Sequence, residues 1–97
     1  MKTEAKIQLL HPEGKKLSRI DEGKYKVLYK AIQQSLKKGS LAHAELDEAV
    51  KDYLKAKKIK FEGSVSWYTE GVKLDMEARK IVERFKDGSK LKFQLRK

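Results

Sequence analysis

Apolar side chains recur at helical spacing along residues 64–79 and form two neighbouring stripes. The stripes are Trp67, Gly71, Leu74 and Ala78 and, beside them, Val65, Tyr68, Val72 and Met76. Ser64 precedes these residues and is a favourable N-cap, because its hydroxyl can accept a hydrogen bond from an unpaired amide of the first turn. Two apolar stripes predict burial on more than one side, so we expect the central helix of a small domain, with Trp67 in the core.

Two earlier segments carry one apolar stripe each and predict helices at 21–38 and 42–56. The first stripe is Tyr25, Leu28, Tyr29, Ile32 and Leu36, and the second is Leu46, Val50, Tyr53 and Leu54. Asp21 is a strong N-cap for the first helix. The short segment 39–42 between the two helices has room for a single bridging strand.

Apolar residues that alternate with polar ones after the third helix predict a β-hairpin with strands at 81–86 and 90–96. A two-residue Asp87-Gly88 loop would leave apolar side chains on opposite faces. A three-residue loop, with Gly88 left-handed in a G1 bulge, gathers them on one face. The side chains gathered in this way are Ile81, Phe85, Leu91, Phe93 and Leu95. We therefore expect the three-residue loop.

The segment 1–20 contains one short apolar run, at 7–10, followed by a turn at Pro12 and Gly14. A basic arm lying along DNA is one interpretation of this segment. Its leucines need burial, however, and this favours an N-terminal arm, residues 1–20, that packs on a domain formed by residues 21–97.

Charge is unevenly distributed along the 97 residues, whose net charge is +10. Residues 1–38 hold ten bases and four acids, residues 86–97 hold five bases and one acid, and residues 39–85 hold nine of each. Such an excess favours a polyanionic partner, although it also serves solubility. The chain lacks cysteine, and its first residues lack the apolar segment of a secretory signal, so we expect a cytoplasmic protein with no membrane contact.

The sequence does not predict an enzyme. Its two histidines, His11 and His43, have no partner at catalytic or metal-ligand spacing. Asp75 and Glu77 are two residues apart on a helix and therefore point in different directions. No glycine-rich phosphate loop follows a strand. We expect no cofactor, no metal and no small-molecule substrate.

The order helix, short strand, helix, helix, hairpin is that of a winged helix-turn-helix domain, an α+β fold. Residues 72–84, V-K-L-D-M-E-A-R-K-I-V-E-R, look like the end of the third helix in such domains, where a pattern of the type L-x-x-x-G-L-I-E-R precedes the wing. Lys80 stands where that pattern has glycine. Several pieces resemble a small uncharacterised bacterial family of this fold: His11-Pro12, Ile20-Asp21, Lys24-Tyr25, Gly63-Ser64-Val65, Trp67-Tyr68 and Val72-Lys73-Leu74-Asp75. The resemblance covers most of the chain, and it implies the architecture but no activity.

The first functional hypothesis is binding of duplex DNA through helix 64–79 and the hairpin wing. In helix-turn-helix proteins the recognition helix contacts bases and the wing meets the backbone. By analogy, the candidate contacts are Ser66, Thr69 and Lys73 on the helix and Lys86, Ser89, Lys90 and Lys92 on the wing. Against this hypothesis, Glu70, Asp75 and Glu77 leave the helix without net positive charge, so it would gain little affinity from phosphates.

The alternative hypothesis is a protein-interaction module that makes no direct contact with nucleic acid. A neutral middle flanked by basic segments suits an acidic protein partner, and winged helices also form homodimers. If Trp67 or Tyr68 is exposed, we expect that residue to be the anchor of the interface.

Overall fold

The computed structural model describes residues 6–96, which form three helices and two antiparallel sheets. The elements are β1 (Lys6–Leu10), β2 (Lys16–Asp21), α1 (Glu22–Leu36), β3 (Leu41–Ala42), α2 (His43–Ala56), α3 (Val65–Ala78), β4 (Val82–Asp87) and β5 (Lys90–Leu95). The α+β class is confirmed, and each predicted helix end lies within two residues of the observed one. The hairpin β1–β2 precedes the first helix, so the element order differs from that of a simple winged helix.

Both predicted N-caps are present. The backbone N–H of Lys24 donates to the Asp21 carboxylate (3.1 Å), and that of Trp67 donates to the Ser64 hydroxyl (3.2 Å). Each cap satisfies one of the amides that the first turn leaves without an intrahelical partner. The caps therefore fix where α1 and α3 begin.

A Schellman motif ends α3, with Lys80 in the left-handed conformation (φ 65°). The N–H of Ile81 donates to the carbonyl of Met76 (2.8 Å), and that of Lys80 donates to the carbonyl of Glu77 (3.0 Å). The helix thus turns sharply into β4. Lysine carries a Cβ penalty in this conformation that glycine would avoid.

The β1–β2 hairpin is formed by the segment that was expected to be an N-terminal arm. Its strands pair Ile7 with Ile20 and Gln8 with Arg19. Leu9 and Ile20 are buried, and β1 packs against α3. A Cβ on Gly71 of α3 would lie only 2.9 Å from Leu9 Cδ1, so β1 approaches the helix where glycine leaves room.

The second sheet has the strand order β3-β5-β4, and its hairpin register differs from the prediction. Asp87 pairs with Lys90 and Arg84 pairs with Phe93, so the loop has two residues, Gly88 and Ser89. Gly88 is left-handed as predicted (φ 66°), and the positive φ falls on the first loop residue, as in a type II′ turn. The three-residue loop was therefore wrong.

The shift of one residue exchanges the faces of β4. Val82 is buried with Phe93, whereas Phe85 pairs with Lys92 on the opposite face of the hairpin. The physical reason lies in the turn. With the left-handed Gly88 as the first of two loop residues, Asp87 pairs with Lys90, and every further pair of the hairpin follows from that one.

The core gathers residues from all three helices and both sheets, with α3 enclosed by α1, α2, β1 and β4. Its fully buried members include Leu28, Ile32, Leu46, Val50, Val72, Met76, Val82 and Phe93. The expectation that α3 is buried on more than one side is confirmed. The placement of Trp67 in the core was wrong, since 54% of its surface is exposed.

Candidate interaction surface on the third helix

Trp67 lies in the first turn of α3, beyond the part of the helix that β1 covers. Its ring meets the Tyr68 ring edge-on, with the centroids 4.8 Å apart and the planes at 86°. Helical spacing aligns it with Gly71 and Leu74, but the contact of Leu9 on Gly71 lies one turn further along. The indole therefore rests on Tyr68 and keeps 54% of its surface in solvent.

Tyr68 holds Trp67 in place because other elements hold Tyr68. The Phe61 ring packs edge-on against it, with a centroid distance of 5.2 Å, and Lys24 Nζ of α1 lies 4.9 Å from its ring centroid. Such edge-to-face and cation–π contacts each contribute about 0.5–1.5 kcal/mol. The first turn of α3 is thus tied to α1 and to the loop before α3, which supports Trp67 as a fixed side chain.

A small apolar pocket of about 150 Å³ opens beside Trp67. Its walls come from the hairpin and from α3: Leu9, Leu17, Ser18, Trp67, Glu70, Gly71 and Leu74. The hairpin supplies two leucines, and Gly71, which has no side chain, lets Leu9 lie close to the helix at the edge of the pocket. No sequence pattern could reveal this pocket, because it depends on where the hairpin docks.

Lys73, expected to face bases, is buried with 2% of its surface exposed. Its Nζ lies 3.0 Å from Glu70 Oε1, 3.4 Å from His43 Nδ1 and 3.9 Å from the centroid of the Phe93 ring. The long stem packs into the core, and the ammonium faces a carboxylate and an aromatic ring. Lys73 is therefore not available to a nucleic acid on this surface.

The other two expected contacts on α3 are also constrained. Thr69 is buried with 3% exposure, so its hydroxyl does not reach the surface. Ser66 is exposed, but its hydroxyl donates to the Asp47 carboxylate of α2 (2.8 Å). Of the three residues predicted to read bases, two are buried and the third is bound to an acid.

A wider groove of about 620 Å³ runs between the β1–β2 turn, α3 and β4. Glu77, whose side chain is 6% exposed, receives two hydrogen bonds from the Arg84 guanidinium of β4, at 2.6 and 3.1 Å. These hydrogen bonds raise the pKa of Arg84. Glu70 also lines the groove and is paired with Lys73. The two carboxylates on the α3 side of the groove are therefore neutralised from within the fold, whereas Lys80 and Arg96, which also line the groove, are exposed.

The wing candidates, in contrast, lie at the surface. Lys86, Ser89 and Lys90 are exposed at and beside the turn of the β4–β5 hairpin. Lys92 is half-buried and pairs with Asp87 (3.0 Å), and this hydrogen bond raises the pKa of Lys92. Three of the four predicted wing contacts are thus free to meet a ligand.

A cluster of hydrogen bonds around Asp75, which is fully buried, was not predicted. Its carboxylate accepts hydrogen bonds from the Tyr25 hydroxyl (2.6 Å), the backbone N–H of Leu10 (2.9 Å) and Nε of Arg79 (2.8 Å). Burial and the hydrogen bond to Asp75 raise the pKa of Tyr25 well above its usual value. One carboxylate thus joins α1, α3 and β1. In the sequence, the one indication of this cluster was the position of Asp75 between the two apolar stripes of the third helix.

Residues 6–96 contain no group of three or more histidine, cysteine or acidic side chains placed to hold a metal. None of the three described helices combines the length and the hydropathy that a membrane span requires. A family model described as "Family of unknown function (DUF6958)" matches residues 6–93. No curated protein and no solved structure matches the chain.

Proposed function

Because the chain belongs to this family of unknown function, we propose its role from the geometry: a non-catalytic winged-helix protein that binds another protein through the exposed face of α3. The observation that carries the proposal is the exposure of Trp67, 54% in solvent on a supported first turn. The absence of cysteine suits a cytoplasmic location, and the family resemblance suggests a bacterial source.

The order of elements supports the winged-helix part of the proposal. Three helices lead into the hairpin β4–β5, and the short strand β3 between α1 and α2 pairs with β5 through Leu41 and Phe93. In this architecture α3 is the recognition helix and the hairpin is the wing. The β1–β2 hairpin is an addition that packs on α3 and reshapes the face it presents.

A half-exposed tryptophan is a strong anchor for a protein partner. Tryptophan is enriched among the interface residues that dominate binding energy, and truncation of such residues costs about 2 kcal/mol or more. Here the indole stands beside an apolar pocket and is held by Tyr68, so little of its freedom would be lost on binding. The surface already has the arrangement of an interface centre.

The net charge favours an acidic partner over a second copy of the chain. Two copies at +10 repel each other, whereas an acidic protein would be attracted and steered to the surface. The proposal is therefore a heterologous complex, and a homodimer is the less favoured form of it.

Duplex DNA is a second candidate ligand, and the exposed wing favours it. Lys86, Ser89 and Lys90 can meet phosphates, which would give affinity without sequence preference. Base reading by α3 is not part of this proposal, because Thr69 and Lys73 are buried.

The test places a photo-crosslinking amino acid, p-benzoylphenylalanine, at position 67 in cells and at Lys37, an exposed residue at the C-terminal end of α1, as the matched control. Any protein crosslinked only from position 67 is then purified and titrated against the wild-type chain and Trp67→Ala. We expect Trp67→Ala to weaken that complex at least 30-fold, about 2 kcal/mol. Crosslinks that do not differ between the two positions, or an affinity unchanged by Trp67→Ala, would contradict the proposal.

A further inference from the structure

The pocket beside Trp67 has the size and lining of a site for one apolar side chain. Its volume is about 150 Å³, and Leu9, Leu17 and Leu74 contribute to its walls. An apolar cavity of about 150 Å³ holds a molecule as large as benzene, so a leucine or methionine side chain is an appropriate occupant. Burying such a side chain contributes a large part of the affinity of a short segment.

The residues around this pocket indicate the charge of the segment that carries the side chain. Lys16 and Arg19 of β2 are exposed and adjoin the wall residues Leu17 and Ser18 along the strand. Glu70 is the one charged residue of the wall; its side chain is 43% exposed, and its Oε1 is paired with Lys73 Nζ at 3.0 Å. The exposed charges next to the hairpin wall are therefore positive, and acidic residues flanking the apolar side chain would complement them.

We propose that the pocket formed by the β1–β2 hairpin and α3 binds an acidic segment of a partner protein through a single leucine-sized side chain. This inference rests on the proposed function, since it names the chemistry of the partner at the same surface. Trp67 would cover the inserted side chain, and Gly71 would form the floor, where any larger residue would displace Leu9. A second copy of the chain is disfavoured, because its own charge is +10.

Trp67 is the only tryptophan of the chain, so its fluorescence reports directly on the pocket. The probe is the blocked peptide Asp-Glu-Gly-Leu-Gly-Glu-Asp, compared with one peptide that has alanine in place of leucine and another that has lysine in place of every acid. We expect a saturable change in emission with the first peptide below about 1 mM and at least tenfold weaker binding of each control peptide. No saturable change, or equal binding of the alanine peptide, would overturn the inference.

Ser18 provides a matched pair of variants, because it is exposed and lies on the wall of the pocket. Ser18→Glu should weaken binding of the acidic leucine peptide at least threefold, and Ser18→Lys should strengthen it, with unchanged circular dichroism in both. If both variants strengthen binding of the peptide, or both weaken it, the positive charge assigned to the surroundings of the pocket is wrong. If position 67 crosslinks a protein whose contact segment is basic or lacks a large apolar side chain, this inference fails while the proposed function stands. If position 67 crosslinks no protein, both fail.

Discussion

Truncation of Lys73 tests whether a lysine expected on the surface is in fact part of the core. Its side chain is 3% exposed and runs past Phe93 to Glu70. Lys73→Ala removes the whole buried stem, and truncating long core side chains to alanine costs about 2–5 kcal/mol. We expect a loss near 3 kcal/mol in the free energy of unfolding, because the adjacent Phe93 is itself fully buried and can relax only partly.

Lys73→Met separates the stem from the charge. Methionine keeps the apolar stem but gives up the cation–π contact with Phe93, about 2 kcal/mol when desolvated, and the ion pair with Glu70. The ammonium, however, no longer has to leave water, which recovers several kcal/mol. The Oε1 atom of Glu70 points inward, but its side chain is 43% exposed and can turn to solvent. We therefore expect Lys73→Met to lie within about 1 kcal/mol of the wild type.

Urea unfolding followed by far-UV circular dichroism measures both variants. With a slope of about 1.5 kcal/mol/M, Lys73→Ala should lower the midpoint by roughly 2 M, and Lys30→Ala on the exposed side of α1 should leave it almost unchanged. A cost below about 0.5 kcal/mol for Lys73→Ala would show a surface lysine and refute the burial argument. Equal costs for the alanine and methionine variants would refute the separate roles of stem and charge.

Three further perturbations have defined outcomes. Trp67→Ala should cost about 1 kcal/mol in urea unfolding, the scale of an exposed edge-to-face contact, and a loss above 3 kcal/mol would instead indicate a core tryptophan. Lys80→Gly should stabilise the fold by about 1 kcal/mol and raise Tm by about 4–8 °C, since it removes the strain of a lysine in the left-handed conformation. Lys30→Gly within α1 is the control and should destabilise the fold by a similar amount. A lower Tm for Lys80→Gly would show that Lys80 is not strained. Because burial and the hydrogen bond to Asp75 raise the folded-state pKa of Tyr25, its contribution to stability is complete below about pH 10 and decreases as the pH rises above that value. Tyr25→Phe should therefore lose less stability at alkaline pH than the wild type, and identical slopes of stability against pH would show that the pKa of Tyr25 is not raised by folding.

Local rules predicted the helices well. Asp21 and Ser64 are N-caps with their own sequence signal, and the apolar stripes between caps and helix ends are long enough to define a period. The positions that depend on contacts between distant elements were predicted less well. Trp67 fits a helical stripe, but the β1–β2 hairpin covers that stripe only from Gly71 onward. The residues around Trp67 in the sequence do not indicate how far along α3 the β1–β2 hairpin extends.

The exposure of Lys73 was predicted wrongly because its charge was given more weight than its position. Thr69, Val72, Lys73 and Met76 are spaced i, i+3, i+4 and i+7, and together they form the buried face of α3. Thr69 and Lys73 are polar, so these four residues were not recognised as a buried face. The hairpin register was predicted wrongly for a different reason. The left-handed Gly88 is the first residue of a two-residue loop and not part of a three-residue loop, and this difference in turn type shifts every pair of β4 and β5 by one residue.

We assign the exposed face of α3 to a protein partner and confine DNA contact to the wing. The most direct test is a salt-titrated anisotropy measurement with labelled mixed-sequence duplex DNA and the variants Ser66→Ala, Trp67→Ala and Lys86→Glu/Lys90→Glu. We predict weak binding without sequence preference, unchanged by the two α3 variants, with a salt slope reduced by roughly 1.8 in the wing double variant. A sequence preference that Ser66→Ala or Trp67→Ala abolishes would make α3 a reader of bases and contradict the account.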